Sequence, residues 1–492
     1  MIHPRILRPS DVHRARVSQA VLRFATLMFG IAVATNIAAA QTYTDLYDFG
    51  AHSNDPNDPQ YTGAIAQGRD GNMYSTTNQG WIGGPGDVFS ITPTGTLKVL
   101  HNFNGTDGSF AVGGLTLATG GEFYGTTQFG GEFGLGTIFK ITSGGAVTTL
   151  YSFTNAADGS EPTAPPIEGL DGNFYGTASS RDFSYVNGCV YKISDNGAFT
   201  ILHTFDGNDG YHPLAPLVQA SDGNFYGTTY AGGAFGYGVI FKISSSGKFT
   251  VLHNLTTADG QHPFAPLIEG SDGDLYGVTS QGGSFTAGTA FKITLGGKLT
   301  VLHEFTFGID DGGNQVGGLI QATDGNFCGT NNLGKDLGHI FRFTPTGTFT
   351  SLYAFQDSPQ VTLLQHTNGI LYGSTAMGGS ANEGTFYSFD VGLGPFVRFL
   401  PGAGREGQKI EFLGQGFKGT THVSFNGTPA HFTVESDTYL TATVPKGATT
   451  GFVHVTTPSG KLKSDKKFRV IRCSKDNEDA ADSDEDSQDS CR

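Results

Sequence analysis

A chain of 492 residues has room for more than one domain and for a well-buried core. Its 74 glycines, 39 phenylalanines and 18 tyrosines exclude a disordered chain and point to many short strands joined by tight turns. The net charge of −15 is uneven: residues 41–392 carry 11 basic and 30 acidic side chains, an acidic surface that repels phosphate backbones and argues against nucleic acid as a partner.

Residues 1–40 have the form of a signal peptide. Arg5, Arg8, Arg14, Arg16 and Arg23 make a basic leader, and an apolar run from Phe24 to Ala40 comes after it. The run closes on Ala38-Ala39-Ala40, the small side chains that signal peptidase requires, so cleavage is expected near Gln41. No twin-arginine pair is present and no second apolar segment occurs. The expectation is general secretion, no membrane anchor after cleavage, and a secreted, periplasmic or cell-surface destination.

A tandem repeat organises the chain beyond the leader. Asp-Gly-Asn-Phe-Tyr-Gly-Thr stands intact at residues 171–177 and 222–228, with variants beginning at Asp70, Gly120, Asp272, Asp324 and Asn368. The seven starts are spaced by 50, 51, 51, 50, 52 and 44 residues. Each period holds four strand candidates, which in the fourth copy are Pro216–Ala220, Phe225–Tyr230, Gly238–Ser244 and Lys248–Leu255. Four antiparallel strands in about 50 residues make one propeller blade. Ahead of the first signature, the lone segment Tyr43–Phe49 matches the fourth strands Val147–Phe153 and Phe349–Phe355, whereas the last copy stops after a third strand, Gly384–Asp390. The N-terminal segment therefore supplies the missing strand and closes the ring. The predicted fold is all-β: a seven-bladed β-propeller over residues 41–392, closed by an N-terminal strand.

Residues 393–472 change character, with 11 basic and 5 acidic side chains. Short alternating segments at Gly407–Phe412, Val423–Phe425, Tyr439–Val444 and Phe452–Thr456, broken by Gly-rich turns, predict a small immunoglobulin-like β-sandwich. Residues 473–492, with 8 acidic and 2 basic side chains, predict a disordered acidic tail. Cys473 and Cys491 bracket it, a spacing that allows a disulfide in an oxidising compartment, whereas Cys189 and Cys328 lie at different strand positions and are expected as unpaired core residues.

The run of Asp-Gly-x-x-Pro, Asp-Gly-Asn-Phe-Tyr-Gly-Thr-Thr, Gly-Gly, Gly-x-x-Phe-Lys-Ile and Leu-His-x-Phe resembles the GloVer tandem repeat over about residues 43–390. That resemblance implies an exported bacterial protein with propeller-like repeats and no established chemistry. Gly-x-Gly-Phe, Val-x-Phe-Asn-Gly and Gly-x-Val-x-Val over residues 394–471 resemble an IPT/TIG domain, which in exported proteins implies a spacer or binding module. No C-terminal apolar helix or sorting motif stands after the repeats, unlike in anchored members.

Two sets of loops share one end of the propeller. Asp107, Asp158, Asp209, Asp259 and Asp311 recur in the blade-to-blade loops, where His212 and His262 also stand; Trp81, Phe133, Tyr185, Phe235, Tyr237 and Phe285 lie in the Gly-Gly loops. Carboxylates beside aromatic rings suit a glycan or peptide surface, although each Asp-Gly also suffices as a turn cap. His101, His203, His253 and His303, one per blade, are expected to pack rather than share a metal. No calcium loop, phosphate loop or nucleophile elbow is present, so neither metal nor cofactor is expected. The favoured function is an exported, monomeric, non-enzymatic binding or scaffold protein of the cell envelope. The alternative is a propeller enzyme acting on polysaccharide as a lyase or hydrolase. It would need one blade to break symmetry, as Ser180–Tyr185 and Asn331–Asp336 do.

Overall fold

Alternation of apolar and polar residues between Gly-rich turns produces strands throughout. The computed structural model describes residues 41–472 except 53–54, 58, 60–63, 80–83, 155–157, 180–187, 309–310, 316, 333–337 and 360. Every regular element among the described residues is a β-strand. Seven four-stranded antiparallel sheets, one for each signature copy, form a propeller-like array. The fourth unit is representative, with strands Val218–Gln219, Phe225–Thr228, Val239–Ile243 and Phe249–Asn254. Its first strand is shorter than the apolar run Pro216–Ala220 suggests, because Pro216 has no N–H for a ladder. In the seventh unit, Thr42–Asp48 pairs with Thr385–Asp390, with Tyr43 opposite Phe389, and so completes the sheet.

The signature is a set of packing instructions. In the third unit, Asp171 Oδ1 accepts the Asn173 backbone N–H at 3.2 Å, while Oδ2 accepts Asn173 Nδ2 at 2.8 Å and the Tyr175 hydroxyl at 2.7 Å. Gly172 takes φ +77°, which the turn requires. Tyr175 then stacks on Phe225 of the next unit at 3.9 Å, as Tyr124 does on Phe174 at 3.7 Å and Tyr276 on Phe327 at 3.9 Å. Such stacks contribute about 0.5–1.5 kcal/mol each beyond area burial. The signature glycine leaves room for a neighbouring ring: a Cβ on Gly227 would lie 2.5 Å from Phe241 Cζ.

Each core belongs to two units. One cluster joins Tyr175 and Phe205 of the third unit to Leu217, Phe225 and Phe241 of the fourth, and equivalent clusters join every consecutive pair. Phe49, Leu364 and Phe386 of the seventh unit share a cluster with Met73, Phe89 and Ile91 of the first. A polar clamp repeats at the same junctions. A Gln or Glu at the end of six of the seven first strands accepts a backbone N–H from the preceding unit's turn: Glu168 from Thr119 at 2.7 Å, Gln219 from Leu170 at 3.0 Å, Glu269 from Ser221 at 2.8 Å. Gln321, Gln365 and Gln67 do the same to Ser271, Thr323 and Thr367. Between the first and second units the clamping position is Leu117.

The C-terminal segment builds two more sheets. Arg398–Leu400, Lys409–Leu413, Tyr439–Thr443 and Phe432–Val434 form one; Ala403–Gly404, Gly460–Val470, Gly451–Thr457, His422–Phe425 and Thr428–Pro429 form the other. Their inner faces share a core that includes Phe399, Phe412, Phe425, Leu440 and Phe468. This module rests on the signature-turn end of the repeats, and its contacts include the junction that lacks a clamp. Arg69 Nε donates to Glu411 Oε2 at 3.0 Å, the Arg69 guanidinium lies 4.7 Å over the Tyr439 ring, and Leu413 joins the cluster that holds Leu117.

Candidate functional site

Antiparallel pairing places the signature turn at one end of each unit and two loops at the other. One loop leads into the next unit; the other joins the second and third strands. At this end the fourth strand closes with Leu-His-x-Phe, Leu-His-x-Leu or Leu-Tyr-x-Phe, and its His or Tyr reaches an aspartate in the loop beyond. His101 Nε2 donates to Asp107 at 2.8 Å, His203 to Asp209 at 2.8 Å and His253 to Asp259 at 3.0 Å. The hydroxyls of Tyr151 and Tyr47 donate to Asp158 at 2.9 Å and Asp55 at 2.7 Å, and His303 stands 3.4 Å from Asp311. The same carboxylates accept backbone N–H groups of their own loop, from Asn104, Thr154 and Asp206. At Asp259 burial opposes the charge, but hydrogen bonds from His253 and Thr256 outweigh it and hold the carboxyl below its usual range.

Three residues beyond Asp107, Asp158, Asp209, Asp259 and Asp311 the backbone turns left-handed without glycine: Phe110, Glu161, His212, His262 and Asn314 have φ of 58°, 50°, 54°, 55° and 51°. The turn aims an N–H at the previous unit and a carbonyl at its own. His262 N–H donates to the Tyr237 carbonyl at 3.0 Å, and the His262 carbonyl accepts from Ser280 N–H at 3.2 Å. Such a conformation costs on the order of 1 kcal/mol or more, offset here by two loop hydrogen bonds. The histidine side chains turn inward. His212 is buried with Nδ1 2.9 Å from Ser179 Oγ, and burial lowers its pKa. His262 Nδ1 donates to the Tyr230 carbonyl at 2.9 Å while its ring stacks on Tyr230 at 4.6 Å.

The Gly-Gly loops turn outward. Phe133, Phe235 and Phe285 occupy the same position in the second, fourth and fifth units and are 51%, 58% and 55% exposed. The residue before each ring is tied to the end of the fourth strand. Ala234 N–H donates to Asn254 Oδ1 at 2.8 Å, Ser284 N–H to Glu304 Oε2 at 2.8 Å and Glu132 N–H to Ser152 Oγ at 3.5 Å. The rings are thus held out on braced loops.

The model of the Gloeobacter/Verrucomicrobia repeat matches residues 29–181 and 161–387, well over half of the chain. The chain belongs to the Gloeobacter/Verrucomicrobia repeat family. No curated protein sequence matches it. Among solved structures it is similar to a fungal alcohol oxidase of the AA5 family in complex with copper, at 15% identity and TM-score 0.48 over 87% of this chain and 100% of that one. It is also similar to a gluconolactonase from Xanthomonas campestris, at 13% identity and TM-score 0.37 over 60% of this chain and 88% of that one. A luciferin-regenerating enzyme matches at 10% identity and TM-score 0.39 over 72% and 97%. Likenesses this distant carry no chemistry over to this member of the repeat family.

The site residues expected from the family repeat separate into distinct groups. Asp107, Asp158, Asp209 and Asp259 hold their own loops through the His and Tyr partners, a pairing that residue spacing alone does not reveal. His212, His262 and Tyr237 form part of the same loop framework, with the Tyr237 ring edge-on to His262 at 6.3 Å. Trp81, Tyr185, Cys473 and Cys491 lie outside the described residues, as do Ser180–Tyr185 and most of Asn331–Asp336. Cys189 and Cys328 are free and buried, and burial pushes both thiols up to about 12, which makes them poor nucleophiles. Among the described residues, no three His, Cys, Asp or Glu side chains gather as metal ligands. The phenylalanines are what the repeat leaves uncommitted.

Proposed function

We propose that this repeat-family member is an exported, monomeric, non-enzymatic binding protein of the bacterial cell envelope that engages neutral glycan through Phe133, Phe235 and Phe285. Its architecture in this reading is a seven-bladed β-propeller closed by the N-terminal strand, with an immunoglobulin-like β-sandwich of the IPT/TIG type behind it. The observation that carries the proposal is the exposure of the three equivalent rings, each more than half open to solvent. The fold does not need a ring there, since the seventh unit carries Ala381 at that position. A braced aromatic ring offers a flat apolar face to the C–H face of a sugar with little ordering left to do on binding. Identical rings around a symmetric array also suit a polymer of identical units, because several weak contacts then add as avidity. The acidic repeat region disfavours polyanions, so a neutral glycan is favoured over an acidic one or a nucleic acid.

The test is binding of residues 41–492 to immobilised peptidoglycan and neutral polysaccharides. Replacing each phenylalanine by alanine should weaken binding about tenfold, or about 1.4 kcal/mol, with an unchanged unfolding midpoint. A triple alanine variant that binds like the parent refutes the reading.

A further inference from the structure

Because one unit is repeated seven times, a position that departs from the repeat marks a requirement the common fold does not impose. At the clamping position, Gln67, Gln219, Gln321 and Gln365 accept the neighbouring N–H without charge. Glu168 and Glu269 make the same bond, so their negative charge is not needed for it. Two residues further on, five units carry Ser or Thr: Thr119, Ser221, Ser271, Thr323 and Thr367. Arg69 departs there to hold Glu411. Leu170 also departs, and it is 36% exposed.

Glu168, Leu170 and Glu269 line one cavity of about 470 Å³. The opposite wall belongs to the C-terminal module, with Leu400 and Pro401 beside Lys466 and Lys467. Its size is that of a small-molecule pocket, at the module junction where such pockets concentrate. Arg469, also on this wall, is already used in docking, since it donates to the Ser221 carbonyl. The two lysines have no carboxylate partner and the two glutamates no cationic partner among the described residues, so charges of both signs face one cavity without neutralising each other. Glu168 also accepts the Thr119 hydroxyl on its other oxygen, and each engaged carboxylate oxygen keeps a lone pair for a further donor.

We propose that this cavity binds a small zwitterionic, peptide-like molecule. Its amine is directed to Glu168 and Glu269, its carboxylate to Lys466 and Lys467, and an apolar side chain to Leu170, Leu400 and Pro401. The site lies at the opposite end of the repeats from the three phenylalanines and stands independently of the glycan reading.

The variants that test it come from the protein's own repeats. Glu168→Gln with Glu269→Gln restores the residue that four sister units use, and Leu170→Ser restores the residue of the fourth and fifth, so the clamps and turns persist. Calorimetric titration of residues 41–492 with a panel of leucine-containing di-, tri- and tetrapeptides with free termini should find binding. Affinity should fall at least tenfold in the double glutamine variant and in Lys466→Gln with Lys467→Gln, with unfolding midpoints unchanged. N-acetylated and C-amidated versions of a bound peptide should bind the parent at least tenfold more weakly, and the triple phenylalanine variant should bind peptide normally. The proposal is overturned if no panel member binds at millimolar concentration. It is equally overturned if end-blocked peptides bind as well as free ones, or if the glutamine variant keeps full affinity.

Discussion

Asp87 is a buried charge whose removal should stabilise the protein. It is 1% exposed; Oδ1 accepts from Asn102 Nδ2, and Oδ2 has no hydrogen-bond partner. Burial raises its pKa from the ordinary 3.8 to about 6, against smaller opposing effects of Asn102 and His101. At the same place, the second, fifth and seventh units carry Thr137, Thr289 and Thr385, whose hydroxyls bond to Thr127, Thr279 and Thr375 at 2.8, 3.0 and 3.1 Å. The matching hydroxyl in the first unit, Thr77 Oγ1, lacks a partner. Asp87→Thr should therefore remove an unfavourable charge and complete the missing bond. A rise of about two pKa units corresponds to roughly 3 kcal/mol at pH above 7, an upper bound because the pocket relaxes. The sign depends on where the proton sits. With the folded pKa raised, the folded state keeps a proton that the unfolded state loses between about pH 4 and 6. The parent therefore recovers stability as pH falls through 6, and the variant's advantage fades by pH 4. Urea unfolding of both proteins at pH 7.5 and pH 4.5 measures this. Equal stability differences at the two pH values, or a less stable variant at pH 7.5, would refute the argument.

The packing implies three further outcomes. Gly227→Ala places a methyl 2.5 Å from Phe241 Cζ and 2.8 Å from Leu217 Cδ2 and should destabilise by about 1–3 kcal/mol, read as a lower urea midpoint. Asp209→Ala frees His203 Nε2 and the Asp206 N–H, and should cost about 1–2 kcal/mol, with faster amide exchange confined to residues 204–212. Leu117→Gln supplies the seventh clamp and places a polar amide where Leu413 now packs. It should loosen the C-terminal module, seen as faster proteolysis near Gly392–Gly394, while the repeats stay resistant.

Much of the fold was legible because its signals are local and recur. The signature joins a turn former to the two rings that stack across units, and its period sets the unit size. The completing strand was legible because Tyr43–Phe49 has the fourth-strand pattern and the last unit lacks one. The final strand Gly460–Val470 is hard to read, since Lys461, Lys463, Lys466 and Lys467 mask an alternation in which Leu462, Ser464 and Phe468 are buried. The loop clamps are hidden for a different reason. Their partners are six to eight residues apart around a corner, and His and Tyr serve interchangeably as donors, so neither residue type marks the pair. The inter-unit clamps join residues about 50 positions apart, and 300 apart for Gln67 and Thr367; only stacking the repeats in register exposes them. Burial also decides what spacing cannot: Phe235 and Tyr237 share one loop, yet one ring faces water and the other packs on His262.

Seven similar junctions face the C-terminal module, which meets them unequally: Arg398 donates to the Gln365 carbonyl, Gln415 to Thr367 and Arg469 to the Ser221 carbonyl. Six junctions tie one turn N–H with Gln or Glu. Only Leu117 leaves the seventh unclamped, and there Glu411 takes up both the Arg69 guanidinium and the Gly120 N–H, while Leu413 covers the apolar side chain. Docking of one module then breaks the symmetry of the turn end beneath it. Of seven nearly identical first strands, only those of the second to fifth units face the cavity under Leu400 and Lys466. Glu168 and Glu269, which clamp with a charge the bond does not need, and Leu170, which departs from the Ser or Thr of its sister units, fall within this set. One module docked across the turns thus gives a repeating surface a pocket that its units do not repeat.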